Sequence, residues 1–234
     1  MFILNIETSN KNCSVCVCDL SGEILIERAQ LAESHAAILM PMIDACLHEI
    51  KINYDDLCAV AVSNGPGAYT ALRVGVSTAK GLCYSLDIPL IAVDSLKMCA
   101  EKLFNDIQNE NAIYCPMFDA RRMEVYTAFY TFKNKKIETI EPPHALIITE
   151  NVFDKFLDDG KEIILSGFGA EKLIPLFENK KNIKFYDEKK YPTAGMMCAS
   201  SAKDFQEKNF EDLENYAPLY LKPPNITISK KIIF

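Results

Sequence analysis

A Gly-Pro-Gly turn between a short apolar run and a long helical pattern constrains this fold more than any other sequence feature. The apolar run is residues 58–62, and the helical pattern spans about Thr70 to Leu86. Such a run predicts a buried strand, and the turn directs the free N–H groups of the helix toward the sheet edge. This geometry suits an anion, but no Gly-Lys-Ser/Thr follows, so the turn is not a P-loop.

The helix after the turn contains two glycines, Gly75 and Gly81. Each costs about 1 kcal/mol relative to alanine in a helix interior. A helix that keeps such residues usually has another backbone pressed against it. The segment therefore predicts two things, a degenerate nucleotide site and a packing surface.

Composition and charge narrow the function classes. The chain has 234 residues, 49% of them hydrophobic, which suffices for one large core or two modest ones. The net charge is −7 and the lysine pairs are scattered, so the sequence shows no basic face for autonomous nucleic-acid binding. We expect no transmembrane helix and, because Glu7 lies where a signal peptide would be apolar, a cytoplasmic location with reduced cysteines.

The first hundred residues read as strand-strand-strand-helix-strand-helix-strand-helix. The predicted strands are 2–7, 13–20, 23–30, 58–63 and 90–93, and the helices are 34–50, 70–86 and 95–104. Three antiparallel strands followed by strand-helix units are typical of an actin-like or ribonuclease-H-like half-domain with a mixed sheet. The Glu7-Thr8-Ser9 turn then corresponds to the phosphate-side turn of actin-like ATPases, or is simply a polar hairpin turn.

A second unit follows a predicted linker at residues 105–111. Its predicted strands are 112–118, 123–132, 136–140, 163–166 and 183–186, with helices near 150–157 and 169–178. Thr193 is predicted to cap a helix of about fifteen residues that returns to the first unit. The predicted division is residues 1–104 with about 193–215, residues 105–192, and an extended tail at 216–234.

No constellation of residues predicts a metal ion or a catalytic nucleophile. Cys16 and Cys18 share one face of a predicted strand and Cys13 lies on the other, so they are interpreted as buried reduced thiols. The three histidines form no His-x-x-x-His pair. Asp119 with Arg121 is interpreted as a structural ion pair at a turn. We therefore predict neither metal ligands nor catalytic residues.

The first two predicted helices carry wide apolar stripes. Pro41 lies inside the first and should kink or restart it. Two alternatives remain open, since the helices either only cover their own sheet or also form a protein–protein face. The candidate partner-binding residues are His35, Leu39, Met42, Ile43, Cys46, Leu47, Leu72, Gly75, Val76, Ala79 and Cys83. The candidate nucleotide or loop residues are Glu7, Thr8, Gly65, Pro66, Gly67, Thr70 and Arg73.

Several motifs resemble the TsaB family, also called YeaZ, of tRNA threonylcarbamoyladenosine biosynthesis proteins. The specific one is the block from Gly65 to Gly75, with Gly-Pro-Gly followed by Leu-Arg-x-Gly. The supporting motifs are Ile6-Glu7-Thr8-Ser9, Ser34-His35 with Leu39 and Pro41, Ala79-Lys80-Gly81, Asp119-Ala120-Arg121 with Glu124-Val125-Tyr126, and Pro218-Leu219-Tyr220-Leu221. The sequence departs from the family pattern at Ala68 and Ala71, where serine and glycine are commoner.

The resemblance implies an α/β fold of two actin-like (ribonuclease-H-like, ASKHA) subdomains, with mixed sheets flanked by helices and the second reduced. It implies a non-catalytic scaffold whose first two helices pack against a TsaD-like transferase, or against another copy as a homodimer. It also implies that a TsaE-like ATPase joins the larger complex, that tRNA is contacted only indirectly, and that no membrane is involved.

The resemblance implies no cofactor of the chain's own, although weak binding of ATP or ADP at a complex interface is compatible with it. The alternatives are an actin-like-fold ATPase or small-molecule kinase that uses Glu7, Thr8 and the Gly65 loop, and a glycoprotease.

Overall fold

Two five-stranded mixed sheets organise the computed structural model, which describes residues 1–157, 160–186 and 191–223. The first sheet has the order β3-β2-β1-β4-β5. Its strands are β1 (Phe2–Glu7), β2 (Asn12–Cys18), β3 (Ile24–Leu31), β4 (Leu57–Gly65) and β5 (Leu90–Asp94). The first three strands form an antiparallel meander, and β4 and β5 add parallel to β1.

The second sheet repeats this topology, with the order β10-β9-β6-β7-β8. Its strands are β6 (Ala112–Asp119), β7 (Glu124–Lys133), β8 (Lys136–Ile147), β9 (Glu162–Ser166) and β10 (Ile183–Tyr186). The strands β6, β7 and β8 form the meander, and β9 and β10 run parallel to β6. The predicted fold class, with two mixed sheets of actin-like topology, is confirmed.

Helices cover the sheets unequally. The long ones are α1 (His35–Glu49), α2 (Tyr69–Leu86), α3 (Ser95–Ile107) and α6 (Cys198–Glu207), whereas α4 (Asp154–Leu157) and α5 (Ile174–Phe177) have four residues each. Helices α1 and α2 pack on one face of the first sheet, and α6 packs on the other. Asp94 caps the N-terminus of α3, where its carboxylate accepts hydrogen bonds from the N–H groups of Leu96 and Lys97. Helix α3 packs against strands of both sheets.

The alternation of side chains along β1 and β2 fills two separate cores. Leu4, Cys13 and Val15 face α1 and α2, while Ile3, Cys16 and Cys18 face α6. The predicted placement of Cys13 opposite Cys16 and Cys18 is therefore confirmed. Both cores depend on the same two strands, so neither side of the first sheet can repack independently.

Several predicted boundaries are wrong. Of the two effects predicted for Pro41, a restart of the first helix is wrong, because α1 continues without interruption across it, and a kink stays a prediction. The predicted linker begins as the last turn of α3, and β8 continues seven residues beyond its predicted end. The helix expected after Thr193 starts as a 3-10 turn, Ala194–Met197, and the Thr193 side chain makes no capping hydrogen bond. The helix expected over 169–178 is a 3-10 turn followed by α5.

The C-terminal part of the chain returns to the first sheet. Helix α6 contacts β1, β2 and β5, and the N–H of Glu211 donates to the carbonyl of Leu90. Residues 224–234 of the predicted tail lie outside the described residues, and the predicted domain boundaries stay a prediction.

In the described ranges, no helix is both long enough and apolar enough to cross a bilayer.

The two glycines of α2 offer a matched test of the packing at this helix. A Cβ at Gly75 would lie 2.3 Å from Thr8 Oγ1, whereas a Cβ at Gly81 meets nothing within 4 Å. We expect Gly75→Ala to lower the free energy of unfolding by about 1–3 kcal/mol through overpacking. We expect Gly81→Ala to raise it by up to about 1 kcal/mol through helix propensity. Urea unfolding of both variants checks this, and equal effects at the two sites would contradict it.

Candidate functional site

The Gly65-Pro66-Gly67 turn packs directly onto the end of β1. The N–H of Ala68 donates to the carbonyl of Ser9 at 2.7 Å, and the N–H of Thr8 donates to Ser63 Oγ at 3.2 Å. A Cβ at Gly67 would lie 2.3 Å from the Ser9 carbonyl oxygen. Glycine is therefore required at this position by a backbone-to-backbone approach, and the turn closes over the residues that follow β1.

The residues under this turn form a buried polar cluster. Glu7, Thr8 and Ser9 are each 0% exposed. One Glu7 carboxyl oxygen accepts a hydrogen bond from the N–H of Ser9. Glu7 Oε2, Thr8 Oγ1 and Ser9 Oγ have no partner in the described part of the chain. Desolvation raises the pKa of Glu7 to about 7. Below pH 7 this carboxyl is therefore mostly protonated, and above pH 7 it is mostly a buried anion.

The structure divides the predicted nucleotide residues into two groups. Glu7, Thr8 and the Gly65-Pro66-Gly67 turn come together in the buried cluster, but Thr70 and Arg73 lie on the exposed side of α2. Arg73 Nη1 donates to the Tyr69 hydroxyl at 2.9 Å, and its guanidinium lies 5.4 Å from the centre of the Tyr69 ring. The arginine is thus turned away from Glu7 and toward the surface between α1 and α2.

An open groove runs between the exposed sides of α1 and α2, hereafter the helix groove. Met40 on α1 is 39% exposed, and Ser77 on α2 is also exposed. The groove is lined by Ala36, Leu39, Met40, Tyr69, Thr70, Arg73, Val74, Ser77 and Thr78. It therefore combines an apolar floor with hydroxyls and one arginine at its edge.

Ten of the eleven predicted partner-binding residues are buried within this chain. They are Leu39, Met42, Ile43, Cys46, Leu47, Leu72, Gly75, Val76, Ala79 and Cys83. The apolar stripes pack on the first sheet because that face of the sheet needs both helices to cover it. Binding by α1 and α2 stays a prediction, and the exposed residues of the helix groove are those available for it. Because Val76 is buried against the first sheet, a charged side chain introduced there would disturb folding and could not serve as a test of binding.

The segment after α6 fastens the Gly-Pro-Gly turn from the other side, which sequence reasoning missed. The N–H of Leu219 donates to the carbonyl of Asn64 at 2.8 Å, and the Tyr216 hydroxyl donates to Asn64 Oδ1 at 3.0 Å. Lys80 Nζ donates to the carbonyls of Glu214 and Tyr216. The only sequence signal was the Pro218-Leu219-Tyr220-Leu221 motif, which identifies the segment without revealing its contact.

The turn between β6 and β7 differs from its predicted ion pairing. Asp119 pairs with Lys172, at 2.5 Å, and accepts a hydrogen bond from the backbone N–H of Arg121 rather than from its guanidinium. Lys172 also donates to the carbonyls of Arg122 and Glu124, so it closes the hairpin from outside.

Over the described ranges, no group of three His, Cys, Asp or Glu side chains is placed to hold a metal ion.

Comparison with solved structures identifies the class of fold. A YeaZ protein from Pseudomonas aeruginosa superimposes with a TM-score of 0.78 at 21% identity, covering 94% of this chain and 99% of that one. A polyphosphate/ATP-glucomannokinase from Arthrobacter gives a TM-score of 0.52 at 11% identity, covering 88% of this chain and 99% of that one. The fold is that of the actin-like, ASKHA-type proteins.

Sequence comparison identifies the family. A model described as TsaD, tRNA N6-adenosine threonylcarbamoyltransferase, matches residues 27–229. The tRNA threonylcarbamoyladenosine biosynthesis protein TsaB of Bacillus subtilis is 35% identical over 64% of each chain. TsaB of Buchnera aphidicola (Schizaphis graminum) is 30% identical over 82% of this chain and 89% of its own. TsaB of Escherichia coli is 26% identical over 95% of both. The chain therefore belongs to the TsaB family and, more broadly, to the family that the TsaD model describes.

The buried Glu7 carboxyl predicts a pH dependence of stability. Its pKa is about 7 in the folded chain against an ordinary value of 4.5, so the folded state binds the proton more tightly. Between these two pH values the unfolding free energy falls as pH rises, by about 3 kcal/mol from this group. Glu7→Gln keeps the shape without the charge, so it should match the wild type near pH 4.5 and exceed it above pH 7. Chemical denaturation of both chains across pH checks this, and parallel curves would contradict it.

Proposed function

We propose that this chain takes part in making threonylcarbamoyladenosine on tRNA as a non-catalytic subunit. In this role it binds and activates a TsaD-like transferase through the helix groove of α1 and α2. Membership of the TsaB family supports the pathway. The observation that supports α1 and α2 as the binding surface is the open groove between these two long neighbouring helices.

The composition of the helix groove fits a helical partner. Its floor, Ala36, Met40 and Val74, consists of small or flexible apolar side chains, and Met40 can adapt to an irregular apolar surface. Ser77 and Gly81 follow each other along the exposed side of α2, and a Cβ at Gly81 would meet nothing within 4 Å of this chain. Small residues in such a row let a second helix approach closely.

The buried cluster beneath the Gly-Pro-Gly turn supports a non-catalytic role. A phosphate held between Gly67 and Ser9 would have no room, because a Cβ on Gly67 would already lie 2.3 Å from the Ser9 carbonyl oxygen. It would also lie beside the Glu7 carboxyl, whose ionised form repels an anion. The actin-like ATPase or kinase alternative needs this turn to open, so it predicts nucleotide binding by the isolated chain at millimolar ATP, which calorimetry would detect.

The decisive test is a mixture of this chain with the TsaD-like transferase of the same organism, analysed by light scattering after size-exclusion chromatography. We expect a new species with the mass of one copy of each. Ser77→Arg places a long charged side chain at the edge of the helix groove, and we expect it to weaken binding by about tenfold or more. Because Ser77 is exposed, the melting temperature should stay close to that of the wild type.

Thr139→Arg is the matched control, because it adds the same charge at an exposed position of β8, on the second sheet. It should leave the one-to-one complex intact. Binding that survives Ser77→Arg would place the interface elsewhere on this chain. Two unmixed peaks for the wild type would overturn the proposed pairing, unless a nucleotide or a TsaE-like third component restores the complex when added.

A further inference from the structure

Three thiols from distant parts of the chain meet in the core between the first sheet and α6. Cys16 and Cys18 project from β2, and Cys198 is the first residue of α6. The three side chains are 0%, 0% and 1% exposed. None of the features on which the proposed function rests uses these groups, so the cluster is independent of it.

Cys198 hydrogen-bonds with both other thiols, and its contact with Cys16 is a close approach of two sulfurs. The Sγ atoms of Cys16 and Cys198 lie 3.3 Å apart. Asn5 Nδ2 donates to Cys18 Sγ at 3.2 Å and to Cys198 Sγ at 3.6 Å. An amide donor stabilises negative charge on sulfur, so Asn5 favours the thiolate form of the thiols that it contacts. The close pair therefore contains one sulfur that is polarised by an amide and one that is not.

We propose that Cys16 and Cys198 are a site of reversible oxidation, joined as a disulfide by a hydroperoxide. A sulfur–sulfur bond is about 2 Å long, so the two sulfurs need only a small further approach. A hydroperoxide is the oxidant that fits, because the three side chains are at most 1% exposed and bulkier disulfide reagents are therefore excluded from them.

The reaction has two balanced steps. The Cys198 thiol loses its proton, and the thiolate attacks one oxygen of hydrogen peroxide. The O–O bond breaks, the departing hydroxide takes up that proton, and a sulfenic acid and one water are formed. The Cys16 sulfur then attacks the sulfenic sulfur, the S–O bond breaks, and the disulfide and a second water are formed. In total two thiols lose two hydrogens and two electrons, and one peroxide becomes two waters. A thiol reductant reverses the change by exchange.

Burial sets the rate of this oxidation. The hydrogen bond with the Cys16 thiol and desolvation raise the pKa of Cys198 above its usual range, so the thiolate is scarce at neutral pH. The reaction should therefore be slow, and faster with rising pH. Once formed, the bond would join the segment that follows the second sheet to β2 of the first sheet, closing a loop from residue 16 to residue 198.

The test uses the full wild-type chain, fully reduced and then exposed to hydrogen peroxide without denaturant. After the peroxide is removed, the chain is unfolded, alkylated, digested with trypsin and mapped by mass spectrometry. We expect a cross-linked pair of peptides, residues 12–28 with residues 191–203, that disappears on reduction. Fragment ions assign the bond to Cys16 and Cys198. Cys46 is equally buried but makes no hydrogen bond to another thiol in the described ranges. It should therefore stay a free thiol during the peroxide treatment and be recovered in alkylated form.

Two variants make the assignment independent of fragmentation. Cys18→Ser keeps the close pair and should still cross-link, whereas Cys16→Ser should not. A bond between Cys18 and Cys198 in the wild type would overturn the assigned pair. Overoxidised but uncross-linked thiols would overturn the proposal, as would Cys16 and Cys198 that stay as unreactive as Cys46 at pH 9.

Discussion

The approach of α2 and its preceding turn to the end of β1 is the constraint on which the rest of the first sheet depends. Gly67 meets the Ser9 backbone and Gly75 meets Thr8, and neither contact has room for a Cβ. These two contacts lie on successive parts of one strand-turn-helix unit, so together they fix both the position and the direction of α2. Since α1 packs beside α2, the shape of the helix groove follows from them.

The close contact of α2 and its preceding turn with β1 gives the buried and the exposed residues different roles. Closing the turn buries Glu7, Thr8 and Ser9 with several polar atoms unpartnered, which lowers stability. In return the outer sides of α1 and α2 are held rigidly on a well-packed core. A rigid surface loses less conformational entropy on association, so it is compatible with the binding role proposed above. The segment around Tyr216 and Leu219 adds to this rigidity by holding Asn64 from outside.

Local pattern predicted the elements of the first sheet closely, because each strand and helix there has strong periodicity and a clear turn. It could not predict which residues of α1 and α2 are exposed. A stripe of Leu39, Ile43 and Val76 looks the same whether it packs on its own sheet or on a partner, and only the three-dimensional area of the sheet decides. Likewise, Asn64 and Tyr216 are 152 residues apart, and Cys16 and Cys198 are 182 apart. No local signal connects such pairs.

The two sheets share one topology but differ in their helices, and this difference supports the binding surface proposed above. The first sheet carries α1 and α2, of 15 and 18 residues, side by side on one face. The second sheet has α3, which is shared with the first sheet, on one face, and only α4 and α5, of four residues each, on the other. A helix of one turn cannot present a continuous row of side chains, and isolated helices this short are unstable in water. Aromatic packing such as Phe129 with Phe156 and Phe153 with Phe177 holds them in place instead. Among the described elements, the pair α1 and α2 is therefore the place where a long helix of another protein can lie against two neighbours at once.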